Sequence, residues 1–304
     1  MHDFIYRDAR PEDRDEVLAF TAHTWEHGDY ISFVYDDWQA DPTGRFLVIE
    51  DRATGRIAGI DKLTMLSPHE AWFEGLRIRE EYRGRGLATH VQRYMIGEAR
   101  RLGARTIRFI TRVGNTPIHL AGYRDGFVQT ALVRGFAWHD GADANIEPDS
   151  DLYSLRRATP AEAPRLYQWW RRSSAYRTAG LVNSYWSLQE TSQREWETSA
   201  ANGYLWVRNG PSPETEQLPV PCVLLLPGGE KEENAWTVSA VCASYAEWSP
   251  LLRGLLAAAR SQGIGTVEGL LPDEHLIYTA TMAADITPDS DGHCHCLFEL
   301  DLTQ

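Results

Sequence analysis

The chain has 304 residues, 43% apolar and 24% charged, which suits about two globular domains and excludes wholesale disorder. Its formal charge of -13, from 30 basic and 43 acidic residues, argues against nucleic acid as the main partner and suits a cationic small molecule. No apolar run is long enough for a bilayer, the start lacks a signal-peptide pattern, and four cysteines make no disulfide framework, so a cytoplasmic chain without a membrane partner is expected.

In chain order, residues 4–10 read as a short strand. Pro11-Glu12-Asp13 then opens a helix over 14–25, with proline at the start and acids in the first turn as the helix dipole favours. Strands follow at 46–50, 56–66 and 71–78, the first two joined by the turn Ala53-Thr54-Gly55. A long helix over 87–102 carries Leu87, Val91, Tyr94 and Met95 at core spacing and is stopped by Gly103. A strand at 106–111, a short helix at 117–125 and a strand at 127–138 complete this half. Antiparallel strands followed by strand–helix–strand predict a mixed, mostly antiparallel sheet flanked by helices, of the α/β (α+β) class. Residues 139–151 are acidic, contain Gly and Pro, and read as a linker, which places two domains at 1–144 and 145–304.

From residue 152 the pattern starts again. Under one constant displacement Arg7, Ala9 and Pro11 fall on Arg156, Ala158 and Pro160. Further on, Gly44-Arg45-Phe46-Leu47-Val48 resembles Gly203-Tyr204-Leu205-Trp206-Val207, and Ala99-Arg100-Arg101-Leu102-Gly103 resembles Ala259-Arg260-Ser261-Gln262-Gly263. Three matches in the same order point to two related halves. Trp169, Trp170, Trp186, Trp196 and Trp206 fit core positions better than a cleft lining. Lys62 and Lys231 are the only lysines, which reads as genomic base composition.

The stretch that carries chemistry is Leu76-Arg77-Ile78-Arg79-Glu80-Glu81-Tyr82-Arg83-Gly84-Arg85-Gly86-Leu87-Ala88. A strand ends, a basic loop with two glycines follows, and a long helix starts at once. That arrangement aims unpaired backbone N–H groups and the positive helix end at one point. Gly84 and Gly86 have no Cβ to keep an anion away, and Arg83 and Arg85 add charge. A phosphate or diphosphate is the expected ligand. The loop is not a P-loop, for no Gly-Lys-Ser/Thr follows, and its glycine spacing is not the dinucleotide fingerprint.

Arg83-x-x-Gly86-x-Ala88 resembles the diphosphate-binding motif of the GNAT acyltransferases, the general-control-type N-acetyltransferases. Leu76-Arg77-Ile78 sits where the fourth strand of that family offers its backbone to pantetheine. Asn115 follows the next strand, and Gly126-Phe127 closes the short helix. The resemblance covers residues 3–138 and implies acetyl-CoA as acyl donor, held at the diphosphate by Arg83, Gly84, Arg85, Gly86, Leu87, Ala88 and Thr89. It implies two splayed strands, a bulge near Gly75 or Leu76, and direct attack by an amine in a ternary complex. Glu70 and Glu74 are the candidate bases for that amine, with His69 weaker. The family's acid tyrosine falls on Gly122, which leaves Tyr123 one residue late as candidate acid, with His119 as a substitute.

In the second half the corresponding loop, Ser244-Tyr245-Ala246-Glu247-Trp248-Ser249-Pro250, has no glycine or arginine, and Glu247 repels phosphate. Ser249 and Pro250 read as the cap and first position of a helix over 251–260. The C-terminal half is therefore expected to be a degenerate GNAT-like copy that packs and shapes the acceptor cleft. His293-Cys294-His295-Cys296 lacks a second ligand pair, with Cys222 and Cys242 standing alone, so no metal is expected. The acceptor is a small-molecule or peptide amine, and a homodimer through the second domain's sheet is the expected assembly. The competing reading is a non-catalytic acyl-CoA sensor or interaction module, favoured by the displaced tyrosine.

Overall fold

In a computed structural model of the chain, residues 3–24, 28–141, 154–173, 175–176, 180–209, 220–227, 234–284, 286–288 and 294–303 are described. They fall into two compact units that interleave in sequence. The first comprises Met1–Ile110, Thr116–Gln129 and Phe298–Gln304, and the second Thr111–Asn115 and Thr130–Leu297.

The chain runs through β1 (Phe4–Asp8), α1 (Arg14–Thr21), α2 (Ile31–Ala40), β2 (Arg45–Asp51), β3 (Ile57–Ser67), β4 (Glu70–Ile78), α3 (Leu87–Arg101), β5 (Thr106–Arg112) and α4 (Thr116–Arg124). Then come β6 (Val128–His139), β7 (Leu155–Arg157), α5 (Ala163–Trp170), β8 (Val182–Ser184), β9 (Ser187–Gln189), α6 (Gln193–Ala201), β10 (Leu205–Arg208) and β11 (Cys222–Pro227). The last elements are β12 (Ala235–Cys242), α7 (Tyr245–Ser261), β13 (Thr266–Pro272), α8 (His275–Met282), β14 (Thr287–Pro288) and β15 (Cys294–Asp301).

In the first unit β1, β2, β3 and β4 pair antiparallel, β4 pairs β5 in parallel, and the end of β15 lies next to β5. One face of this sheet, through Phe46, Val48, Ile57 and Ile60, packs on Val17, Ile31, Tyr35 and Trp38 of α1 and α2. Helix α3 buries Leu87, Val91, Met95, Ile96 and Ala99, the stripe its spacing predicts. The second unit repeats the series: β7, β10, β11 and β12 pair antiparallel, β12 pairs β13 in parallel, and β6 pairs antiparallel with β13. Each unit is thus a mixed, mostly antiparallel sheet with helices.

The repeat is visible in side chains. Arg7 bonds both oxygens of Asp13 at 2.6 and 2.8 Å, and that carboxylate accepts the Arg10 amide at 2.7 Å. Under the same displacement, Arg156 bonds Glu162 at 2.9 and 2.6 Å, and Glu162 accepts the Thr159 amide at 2.8 Å. Both pairs tie the first strand of their unit to the helical turn that follows.

Three expectations change. The cut between 144 and 145 falls on residues outside the described set, and the compact units do not follow a linear division. Most of β6 belongs to the second unit and the chain's last residues to the first, because strand partners are chosen by long-range pairing that no local pattern encodes. Helix α7 begins at Tyr245, capped by Ser244 with Glu247 in a reciprocal box, so Pro250 lies inside the helix and Ser249 is no cap. Cys222 and Cys242 are facing partners across β11 and β12, both free and buried. Trp169, Trp170, Trp196 and Trp206 are buried, as their spacing predicts. His293 lies outside the described residues, and no cluster of metal-ligating side chains occurs among those described. No described helix is long and apolar enough to cross a membrane.

Phe298 is fully buried and stacks on Phe109 with centroids 5.0 Å apart, so Phe298→Ala is expected to cost about 3–5 kcal/mol of first-unit stability, measured by denaturant titration. The Arg156 hydrogen bond holds the Glu162 carboxyl at about 2. Because its folded value lies below the unfolded one, this pair stabilises the second unit above the ordinary carboxylate range and stops doing so as pH falls toward 2. Glu162→Gln is expected to flatten that acid limb in a pH series of thermal melts.

Candidate functional site

β4 and β5 pair from Glu70 with Thr106 to Trp72 with Arg108, and beyond those residues no β4–β5 partner is found among the described residues. β4 therefore continues from Phe73 with its β5-facing backbone groups released from the ladder. Parallel pairing requires both strands to advance together, and here β4 is bent away by an irregularity on its other side. Ile60 faces Arg77 and Lys62 faces Glu74, so the single residue Asp61 opposes the two residues Gly75 and Leu76. The bulge expected near Gly75 or Leu76 is at both. Gly75 has φ +73°, and a Cβ on it would lie 2.4 Å from the Trp38 ring, so only glycine fits.

Past Ile78 a short helical turn, Glu80–Tyr82, leads into the glycine loop. The buried Tyr82 hydroxyl donates to Asp51 at 2.9 Å and anchors the turn. Gly84 (φ +72°) and Gly86 (φ +77°) are left-handed, and no heavy atom lies within 4 Å of a Cβ built on either. The first ladder bonds of α3 run from Thr89 and His90 to the Gly86 carbonyl, at 3.1 and 3.3 Å. The amides of Leu87 and Ala88 therefore precede the helical ladder, at the positive end of a 15-residue helix. Leu87 is buried and Ala88 and Thr89 half-buried, while Arg83 and Arg85 are exposed. Arg83 donates from Nε to the Ile78 carbonyl at 2.9 Å, which folds its side chain back over the loop.

Leu76, Arg77 and Ile78 occupy the released part of β4, yet the Arg77 side chain serves another purpose. It bonds Asp29 at 2.6 and 3.1 Å and lies 5.3 Å over the Tyr30 ring, tying β4 to the segment before α2. Asn115 donates to Thr111 Oγ1 at 2.9 Å, within the segment Thr111–Asn115 that belongs to the second unit.

The two candidate carboxylates differ sharply. Glu70 is buried at the paired end of β4 and bonds Arg108, whose Nε also donates to Glu299 at 2.6 Å. Glu70 thus shares the Arg108 guanidinium with Glu299, an ion-pair cluster that ties β4, β5 and the last strand together. Glu74 directly precedes the bulge. Its Oε1 accepts the Thr64 hydroxyl at 2.8 Å. Burial pushes its carboxyl up, against the opposing pull of Thr64 and the Lys62 charge. His69 is exposed; its carbonyl accepts the Arg105 and Thr106 amides and its own amide donates to Ser67 Oγ at 3.3 Å.

A Cβ on Gly122 would meet Phe109 at 3.4 Å, Phe298 at 3.6 Å and Phe127 at 3.7 Å, so this position faces an aromatic core. Tyr123 is 51% exposed with its ring against Phe298, and His119 packs on the same ring at 5.2 Å. The one-residue slip has turned the phenol out toward the surface of α4. Sequence reasoning missed Asp61, Lys62 and Thr64. The signal was present: an Asp-Lys pair inside the apolar run of β3.

In the second unit β12 and β13 pair from Ala235 to Thr237 and stop, as β4 and β5 do. There the released backbone is taken: Asn183 of β8 donates to the Val238 carbonyl at 3.2 Å, and Ser239 Oγ donates to the Asn183 carbonyl at 2.6 Å. The mouth of α7 is occupied by the Glu247 carboxylate, which accepts the Ser244 hydroxyl at 2.7 Å.

Residues 5–121 match the profile of the acetyltransferase (GNAT) family. A search of curated protein sequences returned no match. Among solved structures, a GCN5-related N-acetyltransferase from Sphaerobacter thermophilus aligns with a TM-score of 0.66 at 13% identity, over 98% of this chain and 95% of that one. A tandem GNAT protein from the clavulanic acid biosynthesis pathway aligns at 0.56 and 13%, over 99% and 98%. The glucosamine N-acetyltransferase region of a fungal multi-domain GH3 β-N-acetylglucosaminidase aligns at 0.58 and 14%, over 99% of this chain and 38% of that one. At these identities the likeness is one of fold, and it extends over both units. The sequence signature of the acetyltransferase (GNAT) family thus lies in residues 5–121 of this chain, and the likeness of fold to a GCN5-related N-acetyltransferase and to a tandem GNAT protein extends over nearly its whole length.

Proposed function

We propose that this protein transfers an acetyl group from acetyl-CoA to an amine by direct attack in a ternary complex. The observation that carries this reading is the conjunction, in one unit, of an open two-glycine helix mouth and a strand unpaired from β5 and bulged beside a half-buried carboxylate. The amides at the mouth of α3 and the open space over Gly84 and Gly86 fit a diphosphate. The stretch Leu76–Ile78 of β4, unpaired with β5, suits the amides of a pantetheine arm, which would displace the Arg77 and Arg83 side chains from the Leu76 and Ile78 carbonyls. An N–H freed at the bulge is suited to polarise a thioester carbonyl.

Glu74 accepts the proton that an ammonium must lose before it attacks. Its raised pKa brings its basicity closer to working pH than an ordinary carboxylate's. The acceptor is a small-molecule or peptide amine, and the chain's charge of -13 favours cations near it. Thiolate is a fair leaving group, so water suffices to protonate it where Tyr123 faces outward. The exposed Tyr123 also supports the second reading, an acyl-CoA sensor without turnover.

Two measurements test this. Gly86→Asp places a carboxylate at the mouth of α3 and is expected to abolish coenzyme A binding by calorimetry, with the circular dichroism spectrum retained. Unchanged affinity would mean the diphosphate lies elsewhere. Glu74→Gln is expected to lower turnover by about 10²–10⁴-fold in a thiol-release assay with an amine panel, and to remove the acid limb of the pH profile. In the native protein that limb is a loss of kcat/KM as pH falls through the raised pKa of Glu74, where the base becomes protonated. Tight binding with no thiol release on any amine would favour the sensor.

A further inference from the structure

Lys62 is one of two lysines in the chain and is 1% exposed, in the middle of β3. Its Cα partner on β4 is Glu74, the residue proposed as base. Directly opposed side chains on one face of an antiparallel pair stand about 5 Å apart at Cβ, close enough for a lysine and a glutamate to form an ion pair. They do not. Lys62 Nζ turns to the Asp41 carboxylate, at the end of α2, and donates also to the Leu63 carbonyl at 2.9 Å. The Asp41 carboxylate is in turn held by Thr43, through its amide at 2.9 Å and its hydroxyl at 2.7 Å.

The corner is built for this geometry. A Cβ on Gly44 would fall 2.5 Å from Lys62 Nζ and 2.6 Å from Asp41 Oδ2, so glycine leaves room for the pair. Burial alone would push the Asp41 carboxyl up, yet Lys62 and Thr43 draw it down to about 2, so the carboxylate stays charged across the neutral range. Glu74 is left with the Thr64 hydroxyl as its partner, and a neutral donor does not quench a base as an ammonium does. The titratable and charged groups acting on Glu74 are Lys62 and Asp61 on β3 and Asp41 after α2, while Arg77 on its own strand acts on Asp61 and is bound to Asp29.

We propose that Asp41 is a positioning residue that sequesters the ammonium of Lys62, its cross-strand neighbour Glu74 thereby remaining free to accept the proton of the acceptor amine. Lys62 without its latch would swing to Glu74 and neutralise it. The proposal rests on Glu74 as the base, but the latch has a readout of its own, the titration of Glu74.

The test is a carboxyl carbon-13 NMR titration of Glu74, with pH profiles of kcat/KM, in the full chain and in Asp41→Asn, Lys62→Met and the double variant. Asp41→Asn is expected to lower the Glu74 pKa by about one unit or more and to reduce turnover about tenfold or more. Lys62→Met alone is expected to raise the Glu74 pKa and move the acid limb to higher pH. The double variant is expected to recover the turnover that Asp41→Asn loses, since no ammonium is left to release. A merely structural Asp41 predicts the opposite, with no rescue by a second substitution in the same corner. An unmoved Glu74 titration in Asp41→Asn, or a double variant no more active than Asp41→Asn, overturns the latch. If Asp41→Asn does not fold, the Lys62→Met titration decides alone, and an unshifted or lowered Glu74 pKa overturns the proposal. Undiminished turnover in Glu74→Gln refutes the base and leaves the NMR arm to judge the latch separately.

Discussion

The indole of Trp38 beneath Gly75 is the contact on which the first unit's chemistry depends. It leaves no room for a Cβ, selects a left-handed backbone, and places two residues of β4 against Asp61 alone. A strand bulged on one side cannot stay in register on the other, and its parallel pairing with β5 ends at Trp72. One aromatic side chain of α2 therefore lies at the point where β4 leaves its parallel partner. Glu74 gains its setting from the same event, since the residue before a bulge is pinned in register with Lys62 on a face that helix α2 covers.

The two units show how one fold keeps or closes such a gap. Both carry the strand arginine tied to a capping acid, and both interrupt a parallel pair after three residues. In the first unit the helix mouth stays open, while the Leu76 and Ile78 carbonyls accept the side chains of Arg77 and Arg83. In the second, the Asn183 side chain satisfies the Val238 carbonyl, Ser239 holds the Asn183 backbone in place, and Glu247 caps the helix mouth. Buried backbone groups must be paired, so a unit that takes no ligand has to supply partners from its own chain. The polar side chains of the second unit are therefore as informative as the open glycines of the first.

Charge inside β3 follows a similar rule. Asp61 and Lys62 interrupt an apolar strand that a purely structural sheet would fill with Val or Ile. Burial drives the Asp61 carboxyl well above its ordinary range, with only the Lys62 amide and Arg77 drawing it back. Lys62 escapes isolation by reaching Asp41. Such groups cost stability and persist where a nearby site uses them.

Much of the site was legible in local pattern. The glycines at 84 and 86, the start of α3 at Leu87, and the repeat of Arg7, Ala9 and Pro11 as Arg156, Ala158 and Pro160 are each short-range patterns, where periodicity and turn chemistry act. The capping of α7 by Ser244 was equally local and was outweighed by the lure of Ser249 before proline. Tertiary structure alone decided which carboxylate is free, because Glu70 meets an arginine from β5 and a glutamate from the last strand of the chain. It also decided the strand that completes each sheet, and whether Lys62 turns toward Glu74 or Asp41. Sequence by itself determined the helix mouth and the fold family, since these rest on short-range geometry. The partners of buried charges and of strand edges were set only when distant segments met, since pairing energy depends on distance in space and not along the chain.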